Sequence, residues 1–407
     1  MNILSSKTKL APELARPDKE KLWTRNFLCV FIINGFLFMS FHLLTPTFPY
    51  FIASLGGTDK AAGIAAAAIS IAALIIRPYA GWVMDNKGRK LILMIGLTIL
   101  IAVAFYYNTI QLVLPAIAFR FVQGLGFGIA TTGVTTLASD SIPRGRFAEG
   151  ISLYSVTGSV ALAIAPALGL WIINVSDFHT LFTLSGAFAA GAFILAMVFS
   201  YDKTKVPKEK NPLVLKDLFS VDALRPAMVM LLGCMPFGAA LSFVALYAGH
   251  RGIGYAGVYF IITAIAMTAV RIVTARIADR RGEGFFVLIG LGSGLLSLIC
   301  LIFAHDHVPF LASAVFLGAC FGLIMSSLQS LALRNSPPRR RGAASGTFLI
   351  SVDLGTGIGG LIAGWVATAS GYDMMFPVML IPMIGSFIMY FIFLSSYRQK
   401  RARSSGS

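Results

Sequence analysis

The chain is poor in charged side chains and has no paired cysteines. Only 12% of its 407 residues are charged and 57% are hydrophobic, whereas about a quarter of the residues in a soluble domain are charged. The four cysteines lie singly inside apolar stretches, with no C-x-x-C spacing, which argues against a disulfide framework or a zinc site. A polytopic membrane protein is therefore expected rather than a soluble domain.

Signals of other protein classes are also missing. Residues 1–25 are polar and basic and contain no short apolar region before a cleavage site, so no cleavable signal peptide is predicted. Two glycine-rich runs, 124–128 and 355–360, neither follow a strand nor open a soluble βαβ unit, and there is no Walker lysine. The sequence therefore predicts no enzyme activity, no nucleotide or other cofactor and no bound metal.

The formal net charge of +16 raises nucleic acid as a partner. However, the Lys and Arg residues lie in short segments between apolar runs and in the two tails, which is the topology signal of a membrane protein. We therefore expect a lipid bilayer as the partner and no nucleic acid.

The chain contains twelve apolar segments, each long enough to cross ~30 Å of hydrocarbon as a helix. They cover residues 26–55, 61–83, 91–107, 111–137, 150–173, 181–201, 226–247, 257–277, 285–303, 309–333, 343–369 and 374–394. This pattern predicts an all-α integral membrane protein with twelve transmembrane helices.

One pattern of residues occurs twice, each time at the end of the second segment of a putative half. Its members in the first half are Arg77, Gly81, Asp85 and Gly88, and 194 positions later they are Arg271, Ala275, Asp279 and Gly282. Such a repeat indicates an internal duplication of about half the chain. We therefore expect two pseudo-symmetric bundles of six helices.

The first copy of this pattern closes one apolar segment and opens the next. Gly81 allows close helix approach, and Asp85 is suited to accept hydrogen bonds at a neighbouring helix N-terminus. Gly88 permits the turn, and the basic pair Arg89 and Lys90 holds that turn on the cytoplasmic side. We assign Gly81, Asp85, Gly88, Arg89, Asp279 and Gly282 to this conformational loop motif.

The expected domains are a tail at 1–25, a bundle at 26–201, a linker at 202–224, a bundle at 225–397 and a tail at 398–407, of which 399–407 is expected to lack regular structure. Lys and Arg concentrate in the tails, the linker and alternate loops, whereas the opposite loops carry only Lys60 and Arg251. By the positive-inside rule, both termini and the linker are cytoplasmic.

This plan, with its duplicated G-x-x-x-D-x-x-G-R-K loop, resembles the major facilitator superfamily. Arg120 begins an R-x-x-Q-G-x-G stretch, Pro46 to Pro49 is a P-x-x-P, and 165–169 reads A-P-A-L-G. These pieces are similar to motifs of the twelve-helix drug:proton antiporters. The stretches at 77–78, 149–154 and 353–355 loosely resemble a bacterial branch that includes opine-metallophore exporters.

The resemblance implies a secondary active transporter that works by alternating access. We expect a proton-coupled exporter of a small amphipathic or zwitterionic molecule, such as a drug or metallophore, acting as a monomer in the bacterial inner membrane. Its partners would be the small-molecule substrate and protons. Two alternatives stay open, namely a proton-coupled importer of a sugar or organic acid, and a non-transporting membrane scaffold.

Charged side chains inside hydrocarbon are costly and mark functional sites by default. The candidates for proton coupling and gating are Arg77, Arg120, Glu149, Arg271 and Asp353. Arg77 and Asp353 lie at similar depths, about 12 and 15 Å from the cytoplasmic boundary. The resemblance places segments two and eleven face to face, so these two side chains are expected to meet between the halves. The alternative is that each pairs within its own bundle.

The other charged candidates each have a structural alternative. Arg120 either acts on a proton-carrying group or on substrate, or it donates to backbone carbonyls of segment one. Glu149 is the most suitable protonatable carboxylate of the first half, or it stabilises its own helix N-terminus.

The candidate substrate-binding residues are polar or aromatic side chains inside the apolar segments. Asn34 and His42 lie two turns apart on one face of segment one, and Gln123 lies one turn from the arginine of segment four. Phe237 and Tyr247 are placed to line a cavity in the second half. The alternative for His42 is packing between helices, and for the aromatic residues it is a core or lipid-facing position.

Overall fold

The computed structural model describes residues 21–143, 146–198, 220–281, 283–336 and 341–405. Side chains are described over the same ranges, apart from those of residues 82, 85–87, 147–149, 152, 273–281, 341–343 and 393–405. In these ranges the chain is helical between short connections and contains no strand.

The helices follow the apolar segments. They are α1 Arg25–Leu44, continued by a short helix Phe48–Ser54, α2 Asp59–Lys87, α3 Arg89–Tyr106, α4 Val113–Ser141, α5 Phe147–Val175, α6 Phe178–Val198, α7 Leu224–His250, α8 Ala256–Arg281, α9 Glu283–Ile302, α10 His307–Arg334, α11 Arg341–Ser370 and α12 Met375–Ser405. Within the described residues, eleven spans are long and apolar enough to cross a membrane, and α8 contributes a shorter apolar stretch, Ala256–Ile272. The prediction of an all-α, twelve-helix membrane fold is confirmed.

Some boundaries differ from the expected ones. Segment one is broken after Leu44, and the short helix that follows carries Pro49 in its first turn, where a missing N–H does no harm. The expectation that residues 399–407 lack regular structure is wrong for 399–405, because α12 continues to Ser405. The sequence there is rich in Arg, Lys, Gln and Ala, which favour helix, and it has no Gly or Pro before Gly406.

The packing of the helices repeats six helices further along the chain. In the first half α4 packs on α2 and α3, and α1 packs on α5 and α6; in the second half α10 packs on α8 and α9, and α7 packs on α11 and α12. The two largest interfaces between the halves are α2 with α11 and α5 with α8, and these are also related by the repeat. The pseudo-symmetry expected from the sequence is therefore present in the fold.

The repeat extends to single atomic contacts. A Cβ added to Gly124 of α4 would lie 2.4 Å from the carbonyl oxygen of Ile69, and one added to Gly318 of α10 would lie 2.2 Å from that of Thr263. The second pair is related to the first by the same displacement along the chain as the loop motif. Only glycine lets the two backbones approach so closely, so the displacement read from the sequence is also the structural displacement.

Successive helices run in opposite directions, so the bundle has two ends. We call the end where α1 begins and α2 ends the tail face. The far face is the end where α2 begins and α11 ends.

Candidate functional site

The two halves are in close contact at the far face. A Cβ added to Gly364 of α11 would lie 2.3 Å from the carbonyl oxygen of Asp59 in α2. At the other interface, a Cβ on Gly257 of α8 would lie 3.3 Å from Ala167 of α5. Contacts this short leave no passage between these helices, so both interfaces between the halves are closed near the far face.

Hydrogen bonds add to the closure between α2 and α11. The hydroxyl of Tyr372, just after α11, donates to Asp59 Oδ1 over 2.8 Å. The backbone N–H of Lys60 donates to Thr368 Oγ1 over 2.7 Å. These polar contacts are made only while the two halves lie together at this face, so they stabilise the conformation seen here.

Arg77 and Asp353 face each other across the same interface, on the tail side of these contacts. Arg77 Nη1 lies 2.5 Å from Asp353 Oδ2, and about a fifth of each side chain is exposed, 22% and 21%. The contact is close but poorly aligned as a hydrogen bond, and the buried Nε of Arg77 has no hydrogen-bond partner within the described residues. The attraction is therefore mainly electrostatic, and the pair retains an unused donor.

Arg271 is the counterpart of Arg77 at the α5–α8 interface. Its side chain is partly buried. Among the described residues, Arg271 forms no hydrogen bond and no ion pair. The two interfaces therefore share an arginine at the same position but differ in what that arginine contacts.

Arg120 is buried inside the first bundle. Its Nη1 donates to Gln123 Oε1 over 2.8 Å, and the Tyr107 hydroxyl donates to the same oxygen over 3.0 Å. The guanidinium also lies over the ring of Phe48, 4.3 Å from the ring centre, which is a cation–π contact. The alternative prediction was that Arg120 donates to backbone carbonyls of segment one. Instead, Arg120 contacts that segment through the aromatic ring of Phe48 in the short helix.

A second polar cluster connects α1, α4 and α5. Asn34 donates to Thr157 Oγ1 over 2.6 Å and accepts from the Tyr154 hydroxyl over 2.8 Å. Thr135 lies 3.1 Å from the same hydroxyl. Since these groups satisfy one another in a buried place, the cluster fixes how α1 and α5 pack and where Asn34 points.

His42 lies near the end of α1 and does not join that cluster. Phe38 and Phe41 pack beside its ring at centroid distances of 5.7 and 5.2 Å, and Phe41 stacks on Phe127 at 3.9 Å. The Nδ1 atom of His42 is buried and makes no hydrogen bond within the described residues. The packing alternative therefore leaves one polar atom unsatisfied.

The two aromatic candidates in α7 have different surroundings. Phe237 stacks on Phe321 at 4.0 Å and lines a small apolar cavity between the halves. The Tyr247 hydroxyl donates to the carbonyl oxygen of Leu301 over 2.5 Å, and only 1% of the residue is exposed. In this conformation Phe237 borders that small cavity, whereas Tyr247 is part of the core of the second bundle.

Comparison with known proteins agrees with this architecture. The model of the Major Facilitator Superfamily matches residues 30–307 and 286–407, which together cover more than half of the chain. This chain belongs to the major facilitator superfamily. It is therefore a multi-pass membrane transporter rather than an enzyme.

Two curated relatives of this superfamily member are of similar length. The staphylopine export protein of Staphylococcus aureus is 25% identical over 379 residues, which cover 90% of this chain and 95% of the relative. The quinolone resistance protein NorA of S. aureus is 26% identical over 351 residues, which cover 82% and 88%. Among solved structures, the nucleoside transporter NupG has a TM-score of 0.70 at 17% identity, covering 92% of this chain and 99% of that one.

The superfamily loop motif is only partly described. Gly88 is the single residue between α2 and α3 and has φ +108°, a conformation that side chains other than glycine rarely adopt. Gly81 lies in α2, and no described atom lies within 4 Å of a Cβ added there. The side chains of Asp85, Glu149 and Asp279, as well as the whole of Gly282, lie outside the described residues.

Arg89 forms an ion pair that sequence reasoning missed. Its partner is Asp140 at the end of α4, and the corresponding residues of the second half, Glu283 and Arg334, are also paired, with Arg334 Nη1 lying 3.1 Å from Glu283 Oε1. Each residue of the second pair follows its counterpart by 194 positions, and the signs of the charges are reversed. The displacement, applied to every charged residue, would have found this pair.

Proposed function

We propose that this transporter is a proton-driven exporter of small amphipathic or zwitterionic molecules, such as a drug or a metallophore. The observation that supports the proposal best is the partly exposed Arg77–Asp353 pair at the interface between the halves. A carboxylate inside a membrane protein is a natural proton carrier. Protonation of Asp353 removes the charge that holds Arg77, so proton binding changes the contact between α2 and α11.

The proposed orientation places the tail face in the cytoplasm of a bacterial cell, in the inner membrane. The Lys- and Arg-rich segments at that face support it, since the loops of the far face carry only Lys60 and Arg251. In this orientation the described conformation is closed towards the outside. The transporter works as a monomer in the bilayer, and alternating access moves substrate and protons in opposite directions through the space between the halves.

The direction of transport is supported by the relatives. One is named as an export protein and another as a resistance protein. At 25% and 26% identity these names support export as the reaction class and leave the substrate open.

Inverted membrane vesicles test the proposal. A fluorescent quinolone and ethidium serve as probes, and the vesicle interior is acidified. We expect accumulation of at least one probe that a protonophore abolishes and that Asp353→Asn loses. Accumulation only in right-side-out vesicles would show an importer instead, and accumulation unaffected by the pH gradient would refute proton coupling.

A further inference from the structure

We infer that Arg271 and Ser159 form a recognition site for a carboxylate group, so that the molecule transported is an amphipathic organic acid or a zwitterion with such a group. The inference rests on the proposed transport function and adds the substrate class. It starts from the difference between the two interfaces that join the halves.

The repeat shows which residue of α5 corresponds to the aspartate that pairs with Arg77. Arg77 lies against Asp353, and the residue 194 positions before Asp353 is Ser159.

The repeat holds in register at both interfaces between the halves. A Cβ added to Gly63 of α2 would lie 3.0 Å from the carbonyl oxygen of Leu361, and one added to Gly257 of α8 would lie 3.3 Å from Ala167. Gly257 follows Gly63, and Leu361 follows Ala167, by the same displacement that relates Asp353 to Ser159. Ser159 therefore stands, relative to Arg271, where Asp353 stands relative to Arg77.

Among the side chains that the structure describes, the second interface thus has the arginine without the acid. Ser159 is buried, 5% exposed, and within the described residues neither its hydroxyl nor the Arg271 guanidinium has a hydrogen-bond partner. Glu149, whose side chain lies outside the described residues, is ten residues from Ser159 along α5, about 15 Å, and so it does not stand at the position of Asp353. A cation held inside a membrane protein without a counter-charge is costly, and a ligand carboxylate would remove that cost.

An apolar cavity lies next to this position, on its far-face side. Its lining includes Leu162 of α5, Phe237 of α7, and Tyr259 and Thr263 of α8. Leu162 is one helical turn from Ser159, and Thr263 is about two turns, or ~12 Å, from Arg271. Side chains lean towards the N-terminus of their helix, which for Arg271 is the far face and hence the cavity.

The two parts together define the chemistry of the ligand. A guanidinium with several free N–H donors matches a planar carboxylate, and the serine hydroxyl supplies one more donor. The cavity is too small in this conformation to hold a ring, and its apolar lining would contact the hydrocarbon or aromatic part of the same molecule once the halves separate on the tail side. The expected substrate class is therefore a carboxylate with an apolar body. Its carboxylate would contact Arg271 as the Asp353 carboxylate contacts Arg77 at the other interface.

Binding to the purified full-length chain tests this, with 1-naphthylacetate as the probe and neutral 1-naphthylacetamide as its matched control. We expect the wild type to bind the acid in preference to the amide. Arg271→Met should weaken acid binding by about tenfold or more, as expected for a lost charged hydrogen bond, and Arg271→Lys should retain part of it. Equal binding of acid and amide, or unchanged acid binding in Arg271→Met, would overturn the inference.

Two serine variants test the position without relying on affinity for one probe. Ser159→Asp places a carboxylate where the ligand's would lie, so it should raise the melting temperature and abolish preference for the acid. Ser159→Asn introduces a side chain of nearly the same shape as aspartate but without charge. It should neither raise the melting temperature nor abolish the preference for the acid. The stabilisation should disappear when Ser159→Asp is combined with Arg271→Met, and equal behaviour of the Asp and Asn variants would refute the pairing.

The two proposals fail separately. Binding is measured without a pH gradient, so acid-selective binding without proton-driven transport would refute the exporter and keep the site. Proton-driven transport of a probe that is indifferent to Arg271, without acid-selective binding, would keep the exporter and refute the site.

Discussion

The Arg77–Asp353 pair is the contact whose removal should change the conformational balance most directly. Loss of one partner of a buried ion pair typically costs ~3–5 kcal/mol. Here about a fifth of each side chain is exposed and the contact is poorly aligned as a hydrogen bond, so we expect about 1–3 kcal/mol. If the pair is weaker when the far face opens, this corresponds to a shift of about 5- to 150-fold in the ratio of the two states.

A cysteine cross-link at the far face measures that ratio. Lys60→Cys and Thr368→Cys place thiols on the facing ends of α2 and α11, where the backbone N–H of Lys60 donates to Thr368 Oγ1 over 2.7 Å and the Lys60 side chain reaches over the ring of Trp365. The native cysteines are replaced first, and they are Cys29, Cys234, Cys300 and Cys320. Cross-linking should be efficient in the wild-type background, because the far face is closed in the described conformation.

The expected result is a double-mutant cycle with a positive coupling energy. Arg77→Ala and Asp353→Ala should each reduce far-face cross-linking and transport, and the exchange Arg77→Asp with Asp353→Arg should restore part of both. Arg271→Ala is the matched control, since it removes an arginine at the corresponding depth that has no ion-pair partner among the described residues, and it should leave cross-linking unreduced.

Two outcomes would refute this reasoning. Additive losses with unchanged cross-linking would mean that the two residues act independently. The exchange could also restore cross-linking without restoring coupling to protons. That outcome would separate the pairing role of Asp353 from a role as proton carrier, for which it would be needed in its own position.

Other predictions concern the close packing, the buried arginine and the topology. Gly364→Ala should cost about 1–3 kcal/mol and reduce the far-face cross-link, because the added Cβ would lie 2.3 Å from a backbone oxygen of α2; Gly292→Ala, with no described atom within 4 Å, is the control and should be near neutral. Gln123→Met should lower the melting temperature of the purified protein by the equivalent of about 2–3 kcal/mol, since it leaves a buried guanidinium without its acceptor; an unchanged melting temperature would show that the cation–π contact suffices. Cysteines at Asn108 and Asn211 should label from outside and inside the cell respectively, and labelling of both from one side would refute the twelve-helix topology.

The candidate residues show where sequence reasoning was sufficient. Arg77 and Asp353 were expected to meet, and they lie 2.5 Å apart. The Arg89–Asp140 pair was missed, although the corresponding pair Glu283–Arg334 lies 194 positions further along the chain. The reason is that the displacement of 194 was applied only to the loop motif. The surroundings of Tyr247 depend on the backbone carbonyl of Leu301, which lies two helices further along the chain, and no sequence signal exists for that contact.

The sequence alone determined the helical membrane fold and its duplication. In hydrocarbon every backbone polar group must be satisfied within the protein, so apolar segments of about twenty residues can only be helices. Glycines at close helix contacts, such as Gly124 and Gly318, are separated by the same 194 positions as the loop motif, and this spacing can be read from the amino-acid sequence. These are local or periodic properties, and they do not depend on which helices become neighbours.

Only the tertiary structure decided which of the described charges are paired. Arg77 and Arg271 are alike in sequence context, in depth and in position within the repeat. Among the described residues they differ because α11 brings Asp353 to one of them, while the repeat assigns Ser159 of α5 to the corresponding position at the other. The energy of an intramembrane charge depends on the atoms within a few ångströms of it, and those atoms come from parts of the chain that meet only when the two halves pack together.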